Sequence, residues 1–124
     1  MCLLEQVLEW DADSIVCRAA SHRDPANPLR SAGGLAAIAG VEYAAQAVAA
    51  HRGLTQKKPS PNLGYLASLR DVVCAVERLD QEDGDLTVCA TRVAAEGGRL
   101  LYDFRIEAGG RELLEGRLSV VVSK

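Results

Sequence analysis

Two polar side chains, Glu42 and Gln46, interrupt the otherwise apolar run GVEYAAQAVAAH at residues 40–51. Burying a carboxylate among alanine and valine is costly, so we expect Glu42 to have a partner or a task. Apolar surroundings raise the proton affinity of a carboxylate, which suits a general acid or base. Small neighbours on the same helix face, Ala49 and Gly53, leave room for a second molecule. Glu42 is therefore the first candidate catalytic residue. The competing interpretation is structural, either an ion pair with a strand arginine or a helix-end position that reaches water.

The chain has two histidines, so few groups can exchange a proton with Glu42. His51 follows nine residues later, and at about 100° per residue a helix places it on the opposite face. A contact at the C-terminal end of the helix explains His51 better than catalysis does. His22 stands where a predicted strand breaks into a proline-rich loop, from which its side chain can enter a cleft beside the helix. An exposed loop histidine without a role is an equal alternative, so the role of His22 stays open.

The charge pattern disfavours two classes of partner. The formal net charge is -3 at pH 7, with acids and bases mixed along the chain. This gives no broad basic field for nucleic acid and no cationic face for an anionic membrane. A local group of basic residues is most simply a set of solvated surface charges, and alternatively a rim for an acidic carrier protein. Its members are Arg52, Lys57, Lys58 and Arg70.

The sequence indicates a soluble, cytoplasmic protein. Its N-terminus, MCLLEQVLEWD, lacks the basic start and the small-residue cleavage site of a secretory signal. The longest weakly apolar run, residues 33–50, is mostly alanine and glycine and carries Glu42 and Gln46, which argues against a membrane span. No cysteine has a CxxC spacing, so we predict no metal site and expect reduced thiols in the core. The cysteines are Cys2, Cys17, Cys74 and Cys89.

The elements that must position these residues form one domain, because 124 residues with 48% hydrophobic content suffice for one core and are too few to expect two. Apolar and alternating runs predict six strands, over residues 2–10, 14–20, 63–79, 86–94, 100–107 and 112–122. The alternation is clearest at residues 100–107, which predicts one buried face and one wet face. A helix is predicted over residues 35–52, apolar on all sides and capped by Gly53. The polar stretch TQKKPSPN after it predicts an exposed loop.

The order of these elements, two strands, one long helix and four strands, indicates an α+β architecture. A curved antiparallel sheet wrapped around a central helix satisfies both the all-round apolar helix and the one-sided strands. That arrangement is the hotdog fold. Such a domain leaves sheet edges open, and pairing with a second subunit is the usual way to cover them.

Several motifs resemble those of the beta-hydroxyacyl carrier-protein dehydratases. The opening LLEQVLEWDADSIVC is similar to the start of that family, and GVEYAAQ resembles its central-helix motif, in which an acidic residue precedes a glutamine by four. Three segments together resemble a branch that includes a component of aryl polyene biosynthesis clusters: NPLR, GVEYAAQAVAAH and GYLASLRDV. The resemblance extends over nearly the whole chain.

This resemblance implies a dimeric hotdog enzyme that converts 3-hydroxyacyl thioesters on acyl carrier protein into trans-2-enoyl thioesters, without metal or organic cofactor, in fatty acid or polyene-type lipid biosynthesis. In such enzymes a histidine takes the C2 proton, and an acidic residue on the partner subunit's helix assists loss of the C3 hydroxyl. Glu42 matches the acidic position, and His22 is the candidate base. Amides at the helix start polarise the thioester carbonyl, which a helix N-terminus suits. The corresponding substrate-binding positions are Ala37, Ile38, Gly40 and Gln46.

One departure from the family pattern affects the base. The family's His-Phe-Pro-Gly segment has no counterpart in LRSAGGLAA, and Ala36 and Ala37 replace the Pro-Gly at the helix start. His22 lies several residues too early and can serve only if its loop folds back. The chain can instead donate Glu42 to a mixed dimer whose partner brings the histidine. Homodimer and heterodimer both remain open.

Two other functions are compatible with the same fold. A hotdog thioesterase uses a carboxylate at a comparable helix position to activate water. A non-catalytic acyl-binding subunit needs neither group, and the missing His-Phe-Pro-Gly segment favours it. Release of free thiol distinguishes the thioesterase, and saturable acyl binding without turnover distinguishes the binding subunit.

Overall fold

A computed structural model describes residues 2–56 and 64–122 of the chain. Six strands and one α-helix lie in those residues. The strands are β1 (Gln6–Trp10), β2 (Ser14–Ala19), β3 (Gly64–Cys74), β4 (Leu86–Glu96), β5 (Arg99–Ala108) and β6 (Arg111–Val122). The helix α1 (Gly40–Thr55) follows a 3-10 turn at Ala37–Ala39, and a second 3-10 turn, Ser21–Arg23, follows β2.

The strands form a single sheet in the order β1-β2-β4-β5-β6-β3, and every neighbouring pair is antiparallel. The helix packs on the central strands β2, β4 and β5. A sheet packed around one central helix is the hotdog fold, as the element order predicts. In the described residues no helix is long and apolar enough to cross a membrane.

Strand β5 shows how the sequence pattern places the core. Tyr102, Phe104 and Ile106 are buried on the helix side of the sheet, whereas Arg105 between them is exposed. The predicted alternation is therefore confirmed. Because residues directly opposite each other in an antiparallel pair share a face, Leu118 of β6, opposite Tyr102, is buried as well.

The helix differs from its prediction at both ends. It begins at Gly40, five residues late, because backbone pairing with a neighbouring loop keeps Leu35 and Ala36 out of the helix and the 3-10 turn Ala37–Ala39 comes next. Gly53 lies inside the helix, which ends at Thr55 before the extended residue Gln56. The prediction of burial on all sides is also wrong, because Glu42 and Ala49 are exposed. A helix that covers a sheet buries one face only.

The cysteines only partly occupy the core. Cys17 is fully buried on β2, and burial raises the pKa of its thiol to about 11. Cys89 is half-buried, and Cys2 and Cys74 are exposed, so the prediction of core thiols is wrong for those two. Cys74 is exposed because it lies near the end of β3, an edge strand of the sheet.

Candidate functional site

The segment before the helix is held against the connection between β3 and β4. Leu35 donates its N–H to the Asp80 carboxylate at 2.9 Å and accepts the Leu79 N–H at 2.8 Å, and Ala37 donates to the Glu77 carbonyl at 2.9 Å. These bonds fix the place where α1 begins. Sequence analysis missed this contact, because it assigned Arg78 and Leu79 to the end of the predicted strand 63–79, whereas β3 ends at Cys74.

Asp80 is the centre of this contact. Its side chain is only 6% exposed, yet it pairs with Arg78 and lies 3.6 Å from Arg30. Hydrogen bonds from the Arg78 guanidinium hold the pKa of the Asp80 carboxyl far below its ordinary value. We call Arg30, Leu35, Arg78 and Asp80 the loop clamp.

Glu42 lies in the first turn of α1 and is exposed in the single chain. The expectation that its carboxylate is buried in the domain is therefore wrong, and the helix-end alternative describes its position. Its neighbours in the chain, Val41, Tyr43 and Ala44, belong to the buried face of the helix. Glu42 instead faces away from the sheet, where a substrate or another subunit can reach it.

His22 is fully buried in the turn after β2. Its Nε2 lies 3.1 Å from the Glu82 carbonyl oxygen, which can only accept, so Nε2 carries the proton. Its Nδ1 has no hydrogen-bond partner among the described residues. Burial lowers the pKa of His22, which favours the neutral ring. The structure thus places the candidate base inside the fold and the candidate acid on its surface.

His51 is also fully buried and has two partners. Its Nε2 donates to the Asp11 carbonyl at 2.9 Å, and its Nδ1 accepts from the Tyr102 hydroxyl at 2.6 Å. It therefore connects α1 to the turn between β1 and β2 and to β5. The predicted contact of His51 at the helix end is therefore wrong, since these two contacts take its place, and its non-catalytic role stays a prediction.

The predicted substrate-binding positions lie at the helix start and one turn beyond Glu42. The N–H groups of Ala37 and Gly40 already donate to carbonyls within the chain, those of Glu77 and Ala37 respectively. Ile38 is 55% exposed, an unusual position for a large aliphatic side chain. The roles of these residues stay predictions, and for Ala37 and Gly40 they now depend on the helix dipole more than on a free amide.

Gln46 anchors the N-terminal segment. Its Oε1 accepts the Leu3 N–H at 2.7 Å. Beside this bond, residues 2–7 and the helix border an open, largely apolar cleft of about 570 Å³, which we call the N-terminal groove. Its lining residues are Cys2, Leu4, Glu5, Gln6, Val7, Gln46, Ala49 and Ala50.

Elsewhere the described residues carry two further clefts and part of the suggested basic rim. Two further clefts, of about 440 and 420 Å³, lie on the sheet face away from the helix, where Asp103, Arg105 and Arg117 give a charged lining. Within residues 2–56 and 64–122 no three His, Cys, Asp or Glu side chains are grouped to hold a metal ion. Of the suggested basic rim, Arg52 is half-buried and Arg70 is exposed, while Lys57 and Lys58 lie outside the described residues.

Comparison with protein families identifies the chain. The model of the ApeP-like family, described as ApeP dehydratase, matches residues 1–124. The chain belongs to the ApeP-like dehydratase family. A search of the curated proteins found no match.

Solved structures share the fold of this ApeP-like chain. The dehydratase heterocomplex ApeI:P from Xenorhabdus doucetiae matches with a TM-score of 0.84 and 24% identity, over 98% of this chain and 83% of that one. A mutant thioesterase from Pseudomonas aeruginosa matches with a TM-score of 0.67 and 16% identity, over 94% and 79%. A hot-dog-like protein from Thermanaerovibrio acidaminovorans matches with a TM-score of 0.69 and 15% identity, over 90% and 81%. The fold is thus common to dehydratases and thioesterases.

Proposed function

We propose that this chain is the acid-bearing subunit of a mixed hotdog dimer that dehydrates 3-hydroxyacyl thioesters on acyl carrier protein. In this proposal Glu42 acts as the general acid, and a histidine of the partner subunit acts as the base. Membership of the ApeP-like dehydratase family supports the reaction class. The structural match to a dehydratase heterocomplex, ApeI:P from Xenorhabdus doucetiae, supports a second hotdog subunit.

The single observation that carries this proposal is the position of the two histidines. His22 and His51 are both fully buried, and each has a ring nitrogen bonded to a backbone carbonyl. A base must come within hydrogen-bond reach of the proton that it removes. Because neither imidazole reaches the surface that carries Glu42, a base from another subunit explains the structure better than the predicted His22 does.

The chemistry divides between the two subunits. The partner's base takes a proton from C2, and the electron pair left there forms the C2–C3 double bond as the C3–O bond breaks. Glu42 gives its proton to the departing hydroxyl, which leaves as water. Negative charge that develops on the thioester oxygen is stabilised by the positive end of α1, next to Ile38 and Gly40.

The open edge strand β3 is the proposed place for the partner. This strand has 11 residues, and its Leu66 and Leu69 are 44% and 41% exposed. Both lie opposite buried residues of β6, Val120 and Leu118, so they face the helix side of the sheet. An edge of this kind is stabilised by pairing with another chain.

Turnover by the chain with and without its partner tests the proposal. The chain is assayed alone and then mixed with a histidine-bearing hotdog subunit from its own cell, using a 3-hydroxyacyl carrier-protein thioester and mass spectrometry for loss of water. We expect loss of water only from the mixture. Dehydration by the isolated chain would overturn the divided site, and release of free thiol would favour a thioesterase.

The variant Glu42→Gln in the mixed complex tests the acid. General acid catalysis typically contributes 10²–10⁴-fold, so we expect a loss of about 100-fold or more in kcat. Assembly and melting temperature should not change, because Glu42 is exposed in the single chain. The control is Glu96→Gln, the same change at an exposed position of β4. Full activity of Glu42→Gln would exclude Glu42 as the acid.

A further inference from the structure

Asp80 keeps a charged side chain almost entirely out of solvent. That side chain is 6% exposed and has both oxygens occupied: Oδ1 accepts from the Leu35 N–H and the Arg78 Nε–H, and Oδ2 accepts from Arg78 Nη2. A second guanidinium, that of Arg30, lies 3.6 Å from Oδ2. A buried ion pair contributes little net stability but can specify one conformation. Here the conformation that it specifies is that of the backbone at Leu35.

The start of α1 has no side-chain cap of its own. Ala39 stands at the N-cap position of the helix and Ala36 at that of the preceding 3-10 turn, and neither makes a side-chain capping bond. The residues that cap helices are serine, threonine, aspartate and asparagine, whereas alanine has no oxygen to offer. The backbone of residues 35–37 instead pairs with residues 77–79 of the connection between β3 and β4, next to Asp80. The loop clamp therefore fixes this helix start from a distant part of the chain.

The position of the helix start matters for the reaction in the proposed function, on which this inference rests. There the positive end of α1, next to Ile38 and Gly40, stabilises charge that develops on the thioester oxygen as the C2 proton leaves. Groups that are fixed in advance stabilise such charge without reorganising, and a displacement of about 1 Å can lower a rate about 100-fold. A contact that fixes the helix start therefore affects the rate of the chemical step more than it affects substrate binding.

We propose that Asp80 is a positioning residue for the dehydration. Its carboxylate holds the Leu35 N–H, and the backbone pairing that follows leads from Leu35 to the start of α1, where the thioester oxygen lies in the proposed reaction. Arg78 keeps the carboxylate turned toward Leu35. Glu42, in the first turn of the helix, is held in place by the same contact. Asp80 itself touches no substrate.

The variant Asp80→Ala in the mixed complex tests this role, and Asp80→Asn keeps one oxygen that can accept the Leu35 N–H. Assays are run well below the unfolding midpoint of each variant, so that loss of folded protein does not contribute. We expect kcat of Asp80→Ala to fall about tenfold or more while KM changes by less than about twofold, and Asp80→Asn to recover part of kcat. The control is Asp85→Ala. This aspartate of the same connection pairs with Arg18 and Arg23, and its loss should change neither constant.

A second variant keeps the proposal testable if Asp80→Ala does not fold. Arg78→Gln removes the guanidinium that orients the carboxylate, at a side chain that is 39% exposed. We expect this change to lower kcat by about threefold or more at unchanged KM. Its control, Arg23→Gln, removes an equally exposed guanidinium that pairs with Asp85 and should leave kcat unchanged.

Amide hydrogen exchange gives a readout that does not depend on turnover. A peptide that spans residues 33–41 is followed by mass spectrometry in the native chain, in Asp80→Ala and in Asp85→Ala. We expect faster exchange in Asp80→Ala alone, because the Leu35 N–H loses its acceptor. Faster exchange together with a native complex that does not dehydrate would keep the hold on the helix start and overturn the proposed function. Unchanged exchange, unchanged kcat, or a loss that appears in KM alone would overturn the positioning role and leave the dehydration standing.

Discussion

At the scale of single residues, the sequence singled out Glu42 as the candidate acid but misjudged its surroundings, because its side chain is exposed. Alanine is compatible with burial and with exposure alike, so the run around Glu42 could not show which helix face lies on the sheet. The histidines had the opposite problem. Nothing in the local sequence shows that His22 is buried, because its burial depends on the distant loop that contains Glu82.

His22 should make folding stability depend on pH. Burial lowers the pKa of His22. When the pH is below the ordinary histidine pKa of about 6.5, the imidazole therefore binds more protons in the unfolded chain than in the native chain. Stability contributed by the neutral ring is present above that pH and is lost as the pH falls below it. We expect His22→Gln to lose less stability than the native sequence between about pH 7 and pH 5 in denaturant titrations. Parallel curves for the two proteins would show that another group titrates.

The pair formed by His51 and Tyr102 should contribute to stability rather than to catalysis. The variant Tyr102→Phe removes the hydroxyl that bonds Nδ1 and leaves a buried acceptor unsatisfied, which costs about 1–3 kcal/mol. Urea unfolding measures this loss. The further variant His51→Leu completes a double-mutant cycle, in which a coupling near zero would contradict the bond.

At the scale of elements, β2, β4, β5 and β6 were predicted within two residues, whereas β1 begins four residues late, β3 ends five residues early and α1 begins five residues late. Strand β5 is predicted by its alternation of apolar and polar residues, which is a local property of the sequence. The start of α1 is instead fixed by the loop clamp, which joins segments about 45 residues apart in the chain, such as Leu35 and Asp80. Long-range backbone pairing of this kind leaves no periodic signal.

The loop clamp requires glycine at position 34 but not at the adjacent position 33. Gly34 has a φ of 98°, and a methyl group there would lie 2.6 Å from the Asp80 carboxylate. Gly33 has nothing within 4 Å of the corresponding point. We expect Gly34→Ala to lower the free energy of unfolding by about 1–3 kcal/mol, while Gly33→Ala changes it by less than about 1 kcal/mol. Equal unfolding midpoints for the two variants would mean that the clamp does not determine the backbone here.

At the scale of the whole molecule, both edges of the sheet are open in the single chain. All five residues of β1 are exposed, including Leu8 at 49% and Trp10 at 48%. The other edge, β3, is about twice as long and exposes leucines on the side that faces the helix. A partner that pairs along β3 gains more backbone hydrogen bonds than one that pairs along β1, and it covers the exposed leucines of that strand.

Substitutions at the two edges therefore distinguish the possible arrangements. We expect Leu69→Arg on β3 to prevent formation of the mixed complex, because pairing there would bury an unpaired guanidinium. The control Val93→Arg, at a 45% exposed position of β4 that belongs neither to β1 nor to β3, should assemble normally. Size-exclusion chromatography with light scattering measures assembly, and dehydration should be lost in parallel with it.

If Leu8→Arg on β1 blocks assembly and Leu69→Arg does not, the partner pairs at the opposite edge. On the proposed function, the partner's histidine would then approach Glu42 from the β1 edge of the sheet, beside the N-terminal groove, and not from the β3 edge.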